Sequence, residues 1–196
     1  FIYFGDTARL PYGTKSPATV QRYALQAAGA LVARGIKALV VACNTASATA
    51  LHTLARELAP LRVFGVVEPG AMAAGAVADG SGVTVLATES TIAGGAYQRA
   101  LLRKRSGMRV VGRPCPLWVT LAEQGGSTGE LVDAILLDGV RGLVKSNETP
   151  NAPSTLLLGC THFPVFRSRL QQLLGAQVQV IDSAQTTASA VAAALQ

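Results

Sequence analysis

Ala38-Leu39-Val40-Val41-Ala42-Cys43-Asn44-Thr45 is an apolar run that ends in a cysteine and a polar pair, just before an alanine-rich helical stretch. Thr155-Leu156-Leu157-Leu158-Gly159-Cys160-Thr161-His162 repeats that pattern far along the chain. A short, unbroken apolar run bounded by turn residues fits a strand covered on both faces. Runs of this kind occupy residues 1–5, 37–42, 62–67, 83–87, 109–112, 155–158 and 178–181. Amphipathic or alanine-rich segments lie between most of them. In the first, Ser16 suits a helix cap, Pro17 the first helical position and Gly35 the end. Within that segment Val20, Tyr23, Ala24, Ala27 and Leu31 fall on one face. Strand alternating with helix predicts an α/β fold with mostly parallel sheets flanked by helices.

The two cysteine passages look alike, which suggests two related, pseudo-symmetric α/β halves with a cleft between them. A boundary near Val67-Glu68-Pro69-Gly70 gives a first domain of 1–66 plus 176–196 and a second of 67–175. Residues 145–154 are polar and contain two prolines, and are read as a surface loop. The chain opens directly on an apolar run without an initiating Met, so the expectation is that a segment precedes it.

Composition narrows the classes. Of 196 residues, 49% are apolar and 14% charged, which supports a folded core rather than disorder. No apolar run approaches the roughly 20 residues a bilayer-spanning helix needs, and no signal peptide is apparent. Three cysteines do not make a disulfide framework and are read as reduced thiols of a cytoplasmic protein. The net charge of +6 is dispersed, with one short cluster at Arg103-Lys104-Arg105. No basic stripe with interleaved aromatics points to nucleic acid. No metal-spaced His/Cys cluster or glycine-rich phosphate loop points to a metal or nucleotide cofactor.

In open parallel sheets, ligands bind beyond the carboxyl ends of the strands. Cys43 and Cys160 are both expected there, where helix N–H groups and the helix dipole lower a thiol pKa. Cys115, between Pro114 and Pro116, lacks that setting and is read as structural. Two thiols in matching contexts admit thiol–disulfide chemistry, but no C-x-x-C pair is present. They admit acyl transfer with one nucleophile and a histidine base, which leaves one cysteine idle. They also admit stereoinversion at a carbon acid, one thiolate removing the α-proton and one thiol returning a proton on the other face. The last option uses both. His162 could exchange a proton with Cys160, while Asn44, Thr45 and Thr161 could bind an α-amino or α-carboxylate group or cap their own helices.

Several motifs in order resemble the glutamate racemases of the aspartate/glutamate racemase superfamily. They are Gly5-Asp6-Thr7-Ala8-Arg9-Leu10-Pro11-Tyr12-Gly13, Ala42-Cys43-Asn44-Thr45-Ala46-Ser47, Glu68-Pro69-Gly70 and Ala87-Thr88-Glu89-Ser90-Thr91. Cys115-Pro116-Leu117 leading to Glu123, Leu158-Gly159-Cys160-Thr161-His162-Phe163-Pro164 and Ile181-Asp182-Ser183 complete the set. The resemblance implies interconversion of L- and D-glutamate without a cofactor, for peptidoglycan synthesis, by a homodimer. It implies Cys43 and Cys160 at opposite faces of Cα, His162 assisting Cys160, and Glu123 as a supporting acid. It implies a substrate pocket lined by Pro11, Tyr12, Gly13, Asn44, Thr45, Thr88, Thr91 and Thr161. Such families open with an Asp-Ser-Gly motif whose aspartate partners the first cysteine. That motif has no counterpart here, and neither Asp6 nor Asp182 is expected to replace it. The chain is therefore expected to be truncated or incomplete, and inactive by itself. Racemisation of aspartate, a hydantoin or another carbon acid, or substrate binding without catalysis, are the competing readings.

Overall fold

The computed structural model describes residues 1–196. Helix α1 (Pro17–Val32) begins as expected: Ser16 Oγ accepts from the Thr19 N–H at 3.3 Å, and Pro17 occupies the first turn. The chain leaves it at Gly35, whose φ of 70° a side chain would resist. The buried stripe is Val20, Ala24 and Ala28, with Tyr23, Ala27 and Leu31 half-buried on its flank. Strand β1 (Ala38–Val41), helix α2 (Asn44–Glu57) and strand β2 (Arg62–Gly65) follow. β1 and β2 pair in parallel as a two-stranded sheet, and α1 packs on α2.

Helix α3 (Val67–Val77) leads to β3 (Val83–Ala87), α4 (Glu89–Ala93), α5 (Ala96–Lys104) and β4 (Val110–Pro114). Then come α6 (Pro116–Glu123), α7 (Glu130–Val140), β5 (Thr155–Gly159), α8 (Arg167–Leu174), β6 (Gln179–Asp182) and α9 (Ser183–Ala194). These strands form one all-parallel sheet in the order β4-β3-β5-β6. The centre strands β3 and β5 are buried along their whole length, which is why their sequences show no polar alternation. Alternate residues serve opposite faces. Leu86, Leu156 and Leu158 join Trp118, Leu136, Phe163 and Phe166 on one side. Val83, Val85 and Leu157 join Ala71, Ala74, Tyr97 and Leu101 on the other. A smaller core of Ala24, Ala28, Leu39, Ala50 and Leu54 fills the space between α1, α2 and β1.

Two expectations are corrected. Residues 1–5 form no strand: all five are exposed, with Phe1 and Tyr3 in solvent. An apolar run becomes a strand only where a neighbour takes its N–H and C=O groups, and no strand lies beside this one. Residues 176–196 do not return to the first sheet either. β6 is hydrogen-bonded to β5 from Thr155↔Gln179 to Leu158↔Asp182, and α9 packs on α3. Val178 and Val180 are buried in the core beneath α8, so leaving the second sheet would expose them. Elsewhere the strand ends move by one or two residues; Val67 belongs to α3 rather than to β2.

Register sets the stage for the site. Ala87, Pro114 and Gly159 stand side by side in the sheet. The residues that follow them (Thr88, Cys115 and Cys160) therefore emerge along one edge.

Candidate active site

Cys43 is the N-cap residue of α2, reached from β1 through Ala42. The N–H groups of Ala46 and Thr45 and the Thr45 hydroxyl lie near its sulfur and favour the thiolate. Protein nevertheless surrounds the sulfur closely, although part of the residue keeps solvent contact, and desolvation outweighs these donors, pushing the thiol up. The sequence-based expectation of a lowered pKa is thus reversed: the helix terminus is there, and burial is the stronger effect.

Cys160 follows β5 and is buried. The expected helix does not begin at this cysteine. A turn at Thr161-His162 and a 3-10 segment (Phe163–Phe166) intervene before α8, because the Phe163 N–H closes a tight turn on the Cys160 carbonyl at 3.1 Å. Burial pushes the Cys160 thiol up to about 12, against the N–H groups of His162 and Thr161. The charge on Cys43 adds to that rise, so the two sulfurs sense each other. The Thr161 hydroxyl donates to the Ala42 carbonyl at 3.0 Å, tying the loop after Cys160 to the residue before Cys43. One hydrogen bond thus joins the two passages that looked alike in the sequence.

Beyond Cys160 runs a short polar chain. His162 Nδ1 lies 3.7 Å from Cys160 Sγ, and its Nε2 meets Glu123 at the end of α6. Such a partner fixes which ring nitrogen carries a proton and holds the imidazole toward the sulfur.

Three hydroxyls lie on the other side. Thr45 is 2.9 Å from Thr88 and 3.2 Å from Thr91, and Thr88 is 2.9 Å from Thr91. Each carries one proton and two lone pairs. A closed ring uses every proton; Thr88 Oγ1 also accepts from the Thr91 N–H at 3.4 Å, so one acceptor site remains on each of Thr45 and Thr91, which suits an ammonium group, and turning one hydroxyl outward offers a donor to a carboxylate. Asn44 is buried and held on both ends: the Tyr97 hydroxyl donates to its Oδ1, and its Nδ2 donates to Ser183 Oγ at 3.2 Å.

The Pro11-Tyr12-Gly13 loop is anchored from behind. Asp6 accepts from the Tyr12 hydroxyl and from Arg9 Nε at 2.8 Å, and the Arg9 guanidinium sits 4.3 Å over the Tyr23 ring. Burial pushes Asp6 up, but its bonds to Arg9 and Tyr12 together outweigh that and hold it below its ordinary value. Asp182 is likewise occupied, accepting from the Gln185 N–H at 2.8 Å as the cap of α9. Burial and the bond to Asp6 push the Tyr12 phenol up, and the charge on Cys43 adds a smaller part. Gly13 is buried against Thr88; a Cβ there would stand 2.5 Å from Thr88 Cβ. Both atoms are fixed to backbone, so the loop itself must move. Gly13→Ala is expected to cost about 1–3 kcal/mol, read as a lower thermal midpoint. An unchanged midpoint would mean the loop rides free of Thr88.

A cleft of about 750 Å³ opens on the outer side of this contact, lined by Gly13, Lys15, Thr49, Glu89 and Ser90 among others, and includes neither cysteine. Cys115 is buried in the core beside Trp118, its thiol pushed up to about 12 by burial. Reading the sequence missed Tyr97, Asp6 and Arg9 as parts of this region. The only available signal for Tyr97 was that it is the one aromatic residue of α5.

The model of the Asp/Glu/hydantoin racemase family matches residues 2–191. The chain belongs to that family. Among curated members of the Asp/Glu/hydantoin racemases, the glutamate racemase of Geobacter metallireducens is 47% identical over 195 residues, covering 100% of this chain and 70% of the relative. Glutamate racemase from Francisella tularensis, solved with D-glutamate, has a TM-score of 0.87 at 32% identity, over 98% of this chain and 70% of that one. The Thermus thermophilus glutamate racemase, solved with β-chloro-D-alanine, has a TM-score of 0.83 at 39% identity, over 98% and 69%. This chain therefore spans about seven-tenths of each of these three relatives.

Proposed function

We propose that this protein interconverts L- and D-glutamate by a two-base reaction in which Cys43 and Cys160 serve opposite faces of the α-carbon. The observation that carries this reading is the pairing of the two cysteine corners across the Thr161–Ala42 bond, with backbone N–H groups near each sulfur that favour its thiolate. One sulfur acts as thiolate and takes the α-proton, leaving a planar carbanion stabilised into the carboxylate. The other, as S–H, gives its proton to the opposite face. One S–H is consumed and one formed, so the enzyme ends with its protons exchanged between sides and is ready for the reverse reaction. Burial keeps both thiols protonated, so a base must first take one proton, and mutual repulsion between the sulfurs then holds the other on the pair. His162, held by Glu123, is the group placed to move a proton on or off Cys160.

The ring of Thr45, Thr88 and Thr91, with Asn44, Thr161 and the Pro11-Tyr12-Gly13 loop, would hold the amino acid. Asn44 acts there through one remaining amide hydrogen, since its other contacts are internal. Chemistry of this kind asks for neither metal nor cofactor. On the same reading the product D-glutamate feeds bacterial peptidoglycan, and the enzyme works as a cytoplasmic homodimer. No helix here is long and apolar enough to cross a membrane, which accords with that placement. The names of the relatives favour glutamate over other carbon acids.

The test is α-proton exchange in deuterated water, followed by NMR, with L- and D-glutamate and L- and D-aspartate offered separately to residues 1–196 and to the full gene product. Exchange of both glutamate enantiomers by the full gene product is the expected result. Exchange of aspartate alone would move the substrate, and glutamate binding without any exchange would replace the enzyme with a binding protein.

A further inference from the structure

Tyr97 has no exposed surface, and its ring lies between two glycines. A Cβ at Gly159 would stand 2.8 Å from ring atom Cε2, and one at Gly70 would stand 3.4 Å from the hydroxyl. Gly159 immediately precedes Cys160. At its other end the phenol donates to Asn44 Oδ1, and Asn44 immediately follows Cys43. The ring thus backs one cysteine corner while the hydroxyl grips the other.

We infer that Tyr97 is a positioning residue: it fixes the orientation of the Asn44 carboxamide and thereby sets the Cys43 corner against the Cys160 corner. A phenol that donates requires the carbonyl end of Asn44 to face it. That choice sends the Asn44 amino group to Ser183, which accepts at 3.2 Å. Burial of all three side chains leaves no bulk water to substitute for a lost partner. Without the hydroxyl, Asn44 Oδ1 is left unpaired, or the amide turns over and takes a proton from Ser183 instead. Either outcome changes what the first turn of α2 presents to a ligand, and does so without touching either sulfur. Small residues at 70 and 159 are then explained as clearance for the ring. This inference rests on the racemase reading for its kinetic consequence, though not for its structural one.

Tyr97→Phe keeps the ring and removes only the bond. Its kcat/KM for glutamate is expected to fall about tenfold, the effect of losing roughly one buried hydrogen bond, with the thermal midpoint lowered by only about 2–8 °C and the protein still folded. Residues that act in one chain are non-additive, so adding Tyr97→Phe to Asn44→Ala is expected to cause no further loss. The side-chain amide of Asn44, followed by ¹⁵N NMR, is expected to shift or double in Tyr97→Phe. Unchanged kcat/KM in a folded Tyr97→Phe protein would overturn the inference, as would losses that multiply with Asn44→Ala. Should Tyr97→Phe fail to fold, Ser183→Ala removes the other amide partner and must give the same kinetic loss; normal activity there would overturn it too. An unmodified protein that exchanges no glutamate would sink the racemase reading alone, and the amide spectrum would still decide the role of Tyr97.

Discussion

Cys43→Ala and Cys160→Ala are each expected to lower racemisation by about 10³-fold or more, the range for losing a positioned acid or base, while leaving the protein folded. Their exchange behaviour should differ in a way that a mere loss of activity would not. With Cys160 gone, Cys43 can still remove the α-proton of the enantiomer that presents it, and can return a solvent deuteron only to the same face. With Cys43 gone, the other enantiomer exchanges. Each variant is therefore expected to wash deuterium into one glutamate enantiomer without inverting it, and the two variants should choose opposite enantiomers. Polarimetry follows inversion and NMR follows exchange. Full racemisation in either variant would refute the two-thiol scheme; exchange of the same enantiomer by both would refute the assignment of one sulfur to each face. Folding is not at risk on either side. Cys43 is only partly buried at the end of a short strand, and Cys160 sits at the edge of a core whose bulk comes from Trp118, Phe163, Phe166 and the leucines.

Much of this geometry was legible because it depends on local order. The runs at 38–41 and 155–159 are strands, and a residue just past a parallel strand must lie at the sheet's carboxyl edge, so the placement of Cys43 and Cys160 followed. Ser16, Pro17 and Gly35 likewise act within a few residues of where they stand. What escaped was whatever depends on a distant partner. The apolar run at 1–5 has strand chemistry and no strand beside it. Residues 179–182 have the same chemistry, and their neighbour is β5 rather than β1, a choice made by contacts beneath α8. The thiol pKa values went the other way because a helix terminus is visible in sequence, whereas the atoms that desolvate a sulfur come from several elements. Tyr97 escaped for the same reason: Asn44 is 53 positions away and Gly70 and Gly159 are on other elements.

Trp118 shows how the core and the site share supports, and Trp118→Ala should have the largest effect of any single change on stability. Its side chain is almost wholly buried on α6, 5.1 Å from the Phe163 ring and 5.7 Å from the Phe166 ring in tilted and edge contacts. Its indole N–H points to the Ile135 carbonyl at 3.4 Å, and α7 approaches so closely that a Cβ at Gly139 would stand 2.7 Å from the indole. Truncation would leave a cavity among α6, α7 and the 3-10 segment, which cannot all close on it. A cost of about 3–5 kcal/mol is expected, and for a chain of this size that lowers the thermal midpoint by roughly 10 °C or more. Trp118→Phe should recover a good part of it, because an aromatic ring can still meet Phe163. The consequence for the site follows from connectivity. α6 ends in Glu123, and Phe163 directly follows His162, so the same indole holds both ends of the Glu123–His162 pair. Activity per folded molecule, measured well below the midpoint, is therefore expected to fall in Trp118→Ala along with stability, and to recover with it in Trp118→Phe. A protein that lost only a degree or two in Trp118→Ala would show that the core closes without the indole. One that lost stability but kept full activity would show that the Glu123–His162 pair is held by something other than this packing.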